Sequence, residues 1–223
     1  MRSVDVGDVR PGRAGAPDDL TARARIRDAA LHRFGEIGFK AATVRGIAER
    51  AGVSAALVVH HFGSKEGLRE AVEDHVMDRI AGDALAALNG TLSLDDSSMR
   101  KTAQDYAPAM AYVARALTED AEVGRSLYDR MFHETLAYFA AGEEAGVIRP
   151  CADPEGRAAA MLNADLGQTL LLHHTQRVLE IPDPAEATLR VAGPVLDAYT
   201  DGLFTDARFR DAIKTPHTEE KSS

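Results

Sequence analysis

The stretch that decides the fold reads Thr43-Val44-Arg45-Gly46-Ile47-Ala48-Glu49-Arg50-Ala51-Gly52-Val53-Ser54-Ala55-Ala56-Leu57-Val58-Val59-His60-His61-Phe62-Gly63-Ser64-Lys65. Thr43 is an N-cap residue, and Val44, Ile47, Ala48 and Ala51 follow it at helical spacing. Gly52 tolerates a positive φ and closes this short helix. Val53 is apolar and fills the angle that follows. Ser54 caps a second short helix over residues 55–61, which Phe62-Gly63 breaks. Ser64 then caps a longer helix from Lys65, with Glu66 early, where the helix dipole favours an anion. Two short helices joined by about three residues that include a glycine make a helix-turn-helix unit.

Upstream, Leu20-Thr21 opens a first helix whose Ile26, Ala29, Ala30, Phe34 and Ile37 share one face, and Gly38 is expected to end it as a left-handed cap. Residues 1–19 are rich in Gly, Pro, Asp and Arg and read as a disordered tail, with a second polar tail over 206–223. Between them strand alternation is nowhere sustained and Ala and Leu dominate, so the fold class is all-α. The reading gives a three-helix N-terminal domain over 20–65, a fourth helix over 65–88 linking it onward, and a larger helical body over 66–205. In that body, helices are expected over 99–118 with an interruption near Pro108, over 119–145, from Asp153 or Pro154 to Leu179, and over 185–204 with a bend at Pro194.

The chain has 223 residues, of which 45% are hydrophobic and 27% charged, an ordinary globular balance. No run approaches the roughly 20 apolar residues that span a bilayer, and the opening MRSVDVGDVR lacks the apolar core of a secretory signal. Cys151 is the only cysteine, which rules out an internal disulfide and makes a reducing cytoplasm the expected compartment. The net charge of −9 is unevenly placed. Residues 20–65 hold eight Lys and Arg against three Asp and Glu, a balance of +5, while residues 66–223 carry −13. A positive block on a negative body suits a protein that offers one face to phosphate, although a solvated basic helix would look the same.

The run ARIRDAALHRFGEIGFKAATVRGIAERAGVSAALVVHHFGSKEGL resembles the N-terminal domain of the TetR family of bacterial transcriptional regulators. The resemblance is carried by Ala30, Phe34, Gly38 and Phe39, by Thr43 through Ser54, and by His61 through Leu68. It implies double-stranded operator DNA as a partner. Position by position it makes Thr43 and Ser54 phosphate contacts and Arg45 a groove-reaching side chain for a base or phosphate. Ala55, Ala56, Leu57, Val59 and His60 become the outward face of the recognition helix, with His61 and Lys65 as further phosphate contacts and Val58 and Phe62 packed inward. One departure stands out. Many members carry Lys-Gly-Thr-Leu-Tyr-Tyr or a close relative where this chain has Ala55-Ala56-Leu57-Val58-Val59-His60. Few hydrogen-bond donors remain for base edges, so thymine methyl contacts, Arg45, His60 and DNA shape would carry specificity.

For the body the resemblance implies ligand binding and dimerisation. Met161, Leu162, Leu166, Leu170, Leu171 and Leu172 make one helix apolar around most of its circumference, and Leu189, Ala192, Gly193, Leu196 and Tyr199 form a stripe on the last. Both could serve a four-helix homodimer interface or only the monomer's core. A largely apolar small-molecule effector is the family's usual input. The candidate lining residues are Tyr106, Met110, Tyr128, Phe132, His133, Leu136, Asn163, Gln168, His173 and His174, each of which could instead pack against a neighbouring helix or water.

No cofactor or metal site is expected. His60 and His61 are adjacent and project about 100° apart on a helix, which suits no shared ion. No G-x-S-x-G, H-E-x-x-H, G-x-G-x-x-G or P-loop pattern occurs, and His133-Glu134 has Ala137 where a second histidine would be needed. An enzyme is therefore not expected. A protein-interaction module with a decayed DNA reader is a further alternative, supported only by the apolar recognition helix.

Overall fold

A computed structural model describes residues 17–203 and 205, apart from 92, 94 and 120. The expected tails over 1–16 and 206–223 lie outside the described residues. Nine helices and no strand occur among those described: α1 (Pro17–Ala41), α2 (Val44–Ala51), α3 (Ala55–Phe62), α4 (Lys65–Leu88), α5 (Asp96–Glu119), α6 (Ala121–Glu144), α7 (Pro154–Leu170), α8 (Leu172–Leu179) and α9 (Pro184–Thr200). The chain packs as two units, the first ending at Leu171 and the second beginning at Leu172.

In the first unit one apolar core runs from the helix-turn-helix into the body. Ile26, Ala30 and Phe34 of α1 join Ile47 of α2, Val58 of α3 and Leu68 and Val72 of α4, and the same cluster continues through Tyr112, Val113, Leu127, Leu162 and Leu166. Full burial of side chains of this size stabilises by roughly 1.5–3 kcal/mol each. Phe34 sits at the junction, its ring centroid 5.3 Å from that of Phe39 and 6.2 Å from that of Tyr112. Gly35 allows α1 to approach α5 closely, because a Cβ there would stand 3.2 Å from the Tyr112 nitrogen and 3.4 Å from the Pro108 carbonyl oxygen.

Polar groups reinforce this junction. Arg115 of α5 donates from Nε to the Gly35 carbonyl (3.1 Å) and from Nη2 to the Glu36 carbonyl (3.2 Å), satisfying acceptors near the end of α1. Glu73 of α4 is 4% exposed. It accepts the Tyr112 hydroxyl and, at 2.9 Å, Arg69 Nη1, and Arg130 of α6 lies 3.8 Å away. A buried carboxylate survives only with such partners. Burial and the neighbouring Glu73 push the Tyr112 phenol well above its ordinary pKa, so it stays a donor.

Four local expectations differ from what is found. Gly38 has φ 80° and ψ 159°, a positive φ but not a left-handed cap, and the chain makes one more turn before Ala42. Pro108 does not divide its helix; α5 continues through it. The helix expected over 153–179 breaks at Leu171 (φ −101°, ψ 9°), where the two units meet in sequence. No proline or glycine stands at that position to announce it. Helix α1 begins at Pro17, inside the stretch read as a tail.

In the second unit α8 packs on α9. Gln176 Nε2 donates to the Pro182 carbonyl (2.6 Å), and Asp183 caps α9 by accepting from the Ala185 N–H (2.9 Å). Val178, Leu179, Leu196 and Tyr199 are exposed in the described chain.

Tyr112→Phe deletes one of the hydrogen bonds to a buried carboxylate and is expected to cost about 1–3 kcal/mol of stability. Urea unfolding followed by circular dichroism checks this, and an unchanged midpoint would contradict the role given to the Tyr112–Glu73 bond.

Candidate nucleic-acid interface and body cavity

The helix-turn-helix is built by its caps. The Gly46 N–H donates to Thr43 Oγ1 (3.1 Å), which starts α2, and the Leu57 N–H donates to Ser54 Oγ (3.2 Å), which starts α3. Gly52 ends α2 at φ 67° and ψ 39°, and its N–H reaches the Ala48 and Glu49 carbonyls. Val53 donates its N–H to the Ala48 carbonyl (3.0 Å) and packs partly buried against the core, which sets the angle between the two helices. Ser64 caps α4 by accepting from the Gly67 N–H (3.0 Å).

Of the side chains expected at the interface, Thr43, Arg45, Ser54, Ala55, Ala56, Val59 and His60 are exposed. Val59 keeps 50% of its surface, large for an apolar residue with no partner to cover it. Arg45 makes no hydrogen bond or ion pair among the described residues, whereas Arg50 is held by Glu36 at 3.0 Å. The hydroxyl hydrogens of Thr43 and Ser54 remain available, because each cap uses the oxygen only as an acceptor.

Three expected positions sit differently. Leu57 turns partly inward and packs against the core, because its place in the first turn of α3 sets it next to buried Val58. His61 is partly buried, its ring edge-on to His60 at 5.5 Å and to Phe62 at 6.1 Å. Lys65 is already engaged: Nζ donates to the carbonyls of Phe39 (2.9 Å) and Ala42 (3.0 Å) and lies 4.4 Å from the Phe39 ring centroid. It ties the end of α1 to the start of α4 instead of standing free for phosphate.

In the first unit, α4 to α7 line a cavity of about 570 Å³ that is open on one side. Of the ten candidate residues, Tyr106 and Met110 border it and the other eight lie outside it. Tyr128 donates to Asn163 Oδ1 (2.9 Å), so these two satisfy each other. Phe132 packs against the core, Leu136 and Gln168 are partly buried elsewhere, and His133 Nδ1 lies 2.6 Å from the Asp129 carbonyl of its own helix. His173 and His174 belong to the second unit, exposed, with ring centroids 3.8 Å apart. The missed wall is the distal half of α4, from Met77 through Ile80, Ala81, Asp83, Ala84 and Leu85 to Leu88, together with Met131, Tyr138 and Met161. Its three-and-four spacing is visible in the sequence, but periodicity does not say which face meets a void.

The cavity's polar groups are few. The Tyr106 hydroxyl donates to Asp83 Oδ2 (2.8 Å), and burial together with that carboxylate raises the phenol's pKa. Asp165 is an exposed residue whose carboxylate borders the cleft, and partial desolvation by the neighbouring helices raises its pKa. Among the described residues no cluster of His, Cys, Asp and Glu could hold a metal ion, and no helix is long and apolar enough to cross a membrane.

The model of bacterial regulatory proteins of the tetR family matches residues 26–72, and that of the tetracyclin repressor-like C-terminal domain matches residues 104–205. The HTH-type transcriptional regulatory protein RaaS of Mycobacterium tuberculosis is 39% identical over 200 residues, covering 87% of this chain and 92% of its own length. The TetR family transcriptional regulator PfmR from Thermus thermophilus shares the fold with a TM-score of 0.51 at 24% identity, over 82% of this chain and 98% of that one. The transcriptional regulator FadR from Bacillus subtilis, solved in complex with stearoyl-CoA, gives 0.56 at 16% identity, over 81% and 99%.

Replacing Lys65 with Met keeps its apolar stem and removes both carbonyl contacts. A loss of about 1–3 kcal/mol in unfolding free energy is expected. A variant as stable as the parent would return Lys65 to the set of free surface cations.

Proposed function

This chain belongs to the TetR family of bacterial regulatory proteins, a family of DNA-binding transcriptional regulators and not of enzymes, and from that premise we propose that it is a homodimeric repressor released from its operator by a small molecule. The observation that carries the ligand response is the double membership of α4. Its proximal half supplies Leu68 and Val72 to the core beneath the helix-turn-helix, and its distal half, from Met77 to Leu88, walls the cavity. A molecule that displaces the distal half moves the element on which the reader rests. Differential affinity of the ligand for the two positions of α4 would then set the coupling, about 1–3 kcal/mol in typical systems.

At the DNA, Thr43 and Ser54 meet phosphates, and unpaired Arg45 meets a base edge or phosphate. The exposed Ala55, Ala56, Val59 and His60 enter the major groove, about 12 Å wide. A surface this apolar reads thymine methyl groups and shape more than donor patterns. The compartment that suits such a regulator is the cytoplasm.

Dimerisation is assigned to the exposed apolar face of the second unit, with Leu196 and Tyr199 of α9 and Val178 of α8. The apolar run from Met161 to Leu172 divides between roles. Leu162 and Leu166 are buried in the first unit and Met161 lines the cavity, so they are not free for a partner chain, while Leu171 is exposed. A two-fold dimer implies a pseudo-palindromic operator.

Arg45→Ala is expected to weaken binding to operator fragments from the gene's own neighbourhood by about 1–3 kcal/mol, measured by fluorescence anisotropy at fixed salt. Equal loss on random duplex would reduce Arg45 to a phosphate contact, and no loss on either would remove it from the interface. Leu196→Asp is expected to shift the sedimenting species from dimer to monomer. A dimer that persists unchanged would place the interface elsewhere.

A further inference from the structure

The cavity wall carries a one-signed charge. Its lining contains the carboxylates Asp83, Glu134 and Asp165 and no Lys, Arg or His. Asp83 accepts the Tyr106 hydroxyl; Arg79 is stacked 4.4 Å from the Tyr106 ring centroid and donates to the Asp105 carbonyl (3.1 Å), and Arg157 lies 4.6 Å from the Phe139 ring centroid and is paired with Glu143 (2.6 Å). Glu134 stands at the edge of the cavity, where it also borders a surface groove containing Arg125 and Arg130. Asp165 has neither hydrogen bond nor ion pair to its side chain among the described residues. It is exposed to the open side of the cleft, where water and not protein satisfies it.

Each class of occupant meets this wall differently. A carboxylate or phosphate entering it would face like charges with no cationic partner on the lining. A neutral apolar molecule would cover Asp165 and leave it unsatisfied. An organic cation supplies the missing countercharge. The rest of the wall suits its body: the methionine thioethers are polarizable and adaptable, and the ring of Tyr138 can attract a cation, while the Phe139 ring already carries the Arg157 guanidinium at 4.6 Å.

Resting on the reading of this chain as ligand-responsive, we infer that the cavity takes a lipophilic organic cation, a protonated amine or quaternary ammonium with an apolar body, held by Asp165 with Asp83 as the second carboxylate. The volume of about 570 Å³ falls in the range of small-molecule pockets, about 300–1,000 Å³.

The test titrates the full-length protein, by calorimetry below micellar concentrations, with three probes of equal chain length: decyltrimethylammonium, decanoate and 1-decanol. Decyltrimethylammonium is expected to bind at least about tenfold more tightly than the other two. Asp165→Asn, nearly the same volume, is expected to lower its affinity about tenfold while changing that of 1-decanol less than about twofold. Asp83→Asn is the second variant, with a smaller loss expected in the same direction. Failure of the cation to bind, decanoate or 1-decanol binding as well as the cation, or an Asp165→Asn variant that binds the cation normally would each overturn the inference. Operator release is followed with the same probes. Release by decanoate or 1-decanol alone overturns the charge assignment while keeping the ligand-response reading. Binding of the cation without release supports the site and contradicts that reading.

Discussion

Glu73 is a carboxylate in the middle of a helical core, and it is held there by residues of three helices. Arg69 belongs to its own α4, Tyr112 to α5 and Arg130 to α6. Such a charge loses much of its hydration, and removing any partner leaves the remainder uncompensated. This constrains how α4 can move. Glu73 lies between Leu68 and Val72, which support the reader, and Met77, where the cavity wall begins. A displacement that starts at the cavity must either carry the Glu73 cluster with it or break it, which favours two discrete positions over a continuum. The Arg115 bonds to the Gly35 and Glu36 carbonyls brace the other side of the reader against α5.

The charge distribution divides the work in the same way. The net charge of −9 would repel DNA as a whole, yet residues 20–65 are positive and leave Arg45 unpaired on the surface. Not every cation in that block is free: Arg50 pairs with Glu36 and Lys65 with backbone carbonyls. Part of the positive block therefore holds the fold, and its full formal charge overstates the charge left free on the surface. The acidic excess reappears inside the body, where it gives the cavity its sign.

Local chemistry makes the reader legible in the sequence. Thr43, Ser54 and Gly52 act on neighbours three or four residues away, so their caps and turn appear wherever the right residue types fall at the right spacing. Lys65 reads as a free cation only because its acceptors lie 26 and 23 residues upstream. Leu57 reads as outward because successive helical residues differ by only about 100° in direction, so a residue beside buried Val58 borders both faces. The cavity is harder still. Tyr106 and Met110 stand out as apolar or amphipathic residues on a body helix, but the distal half of α4 reads as a linker, and whether its apolar face meets a helix or a void depends on the packing of four helices. The break at Leu171 leaves no mark in composition.

Helix α4 contributes both to the cavity wall and to the core beneath the helix-turn-helix, so the proposed coupling can be measured from either side. The affinity of decyltrimethylammonium should be measured on the free protein and again on the protein saturated with operator. Binding is expected to be weaker on DNA, by the same factor with which the cation weakens operator binding. Equal affinity in the two states would contradict the coupling, because a ligand that does not sense the DNA cannot release the protein from it.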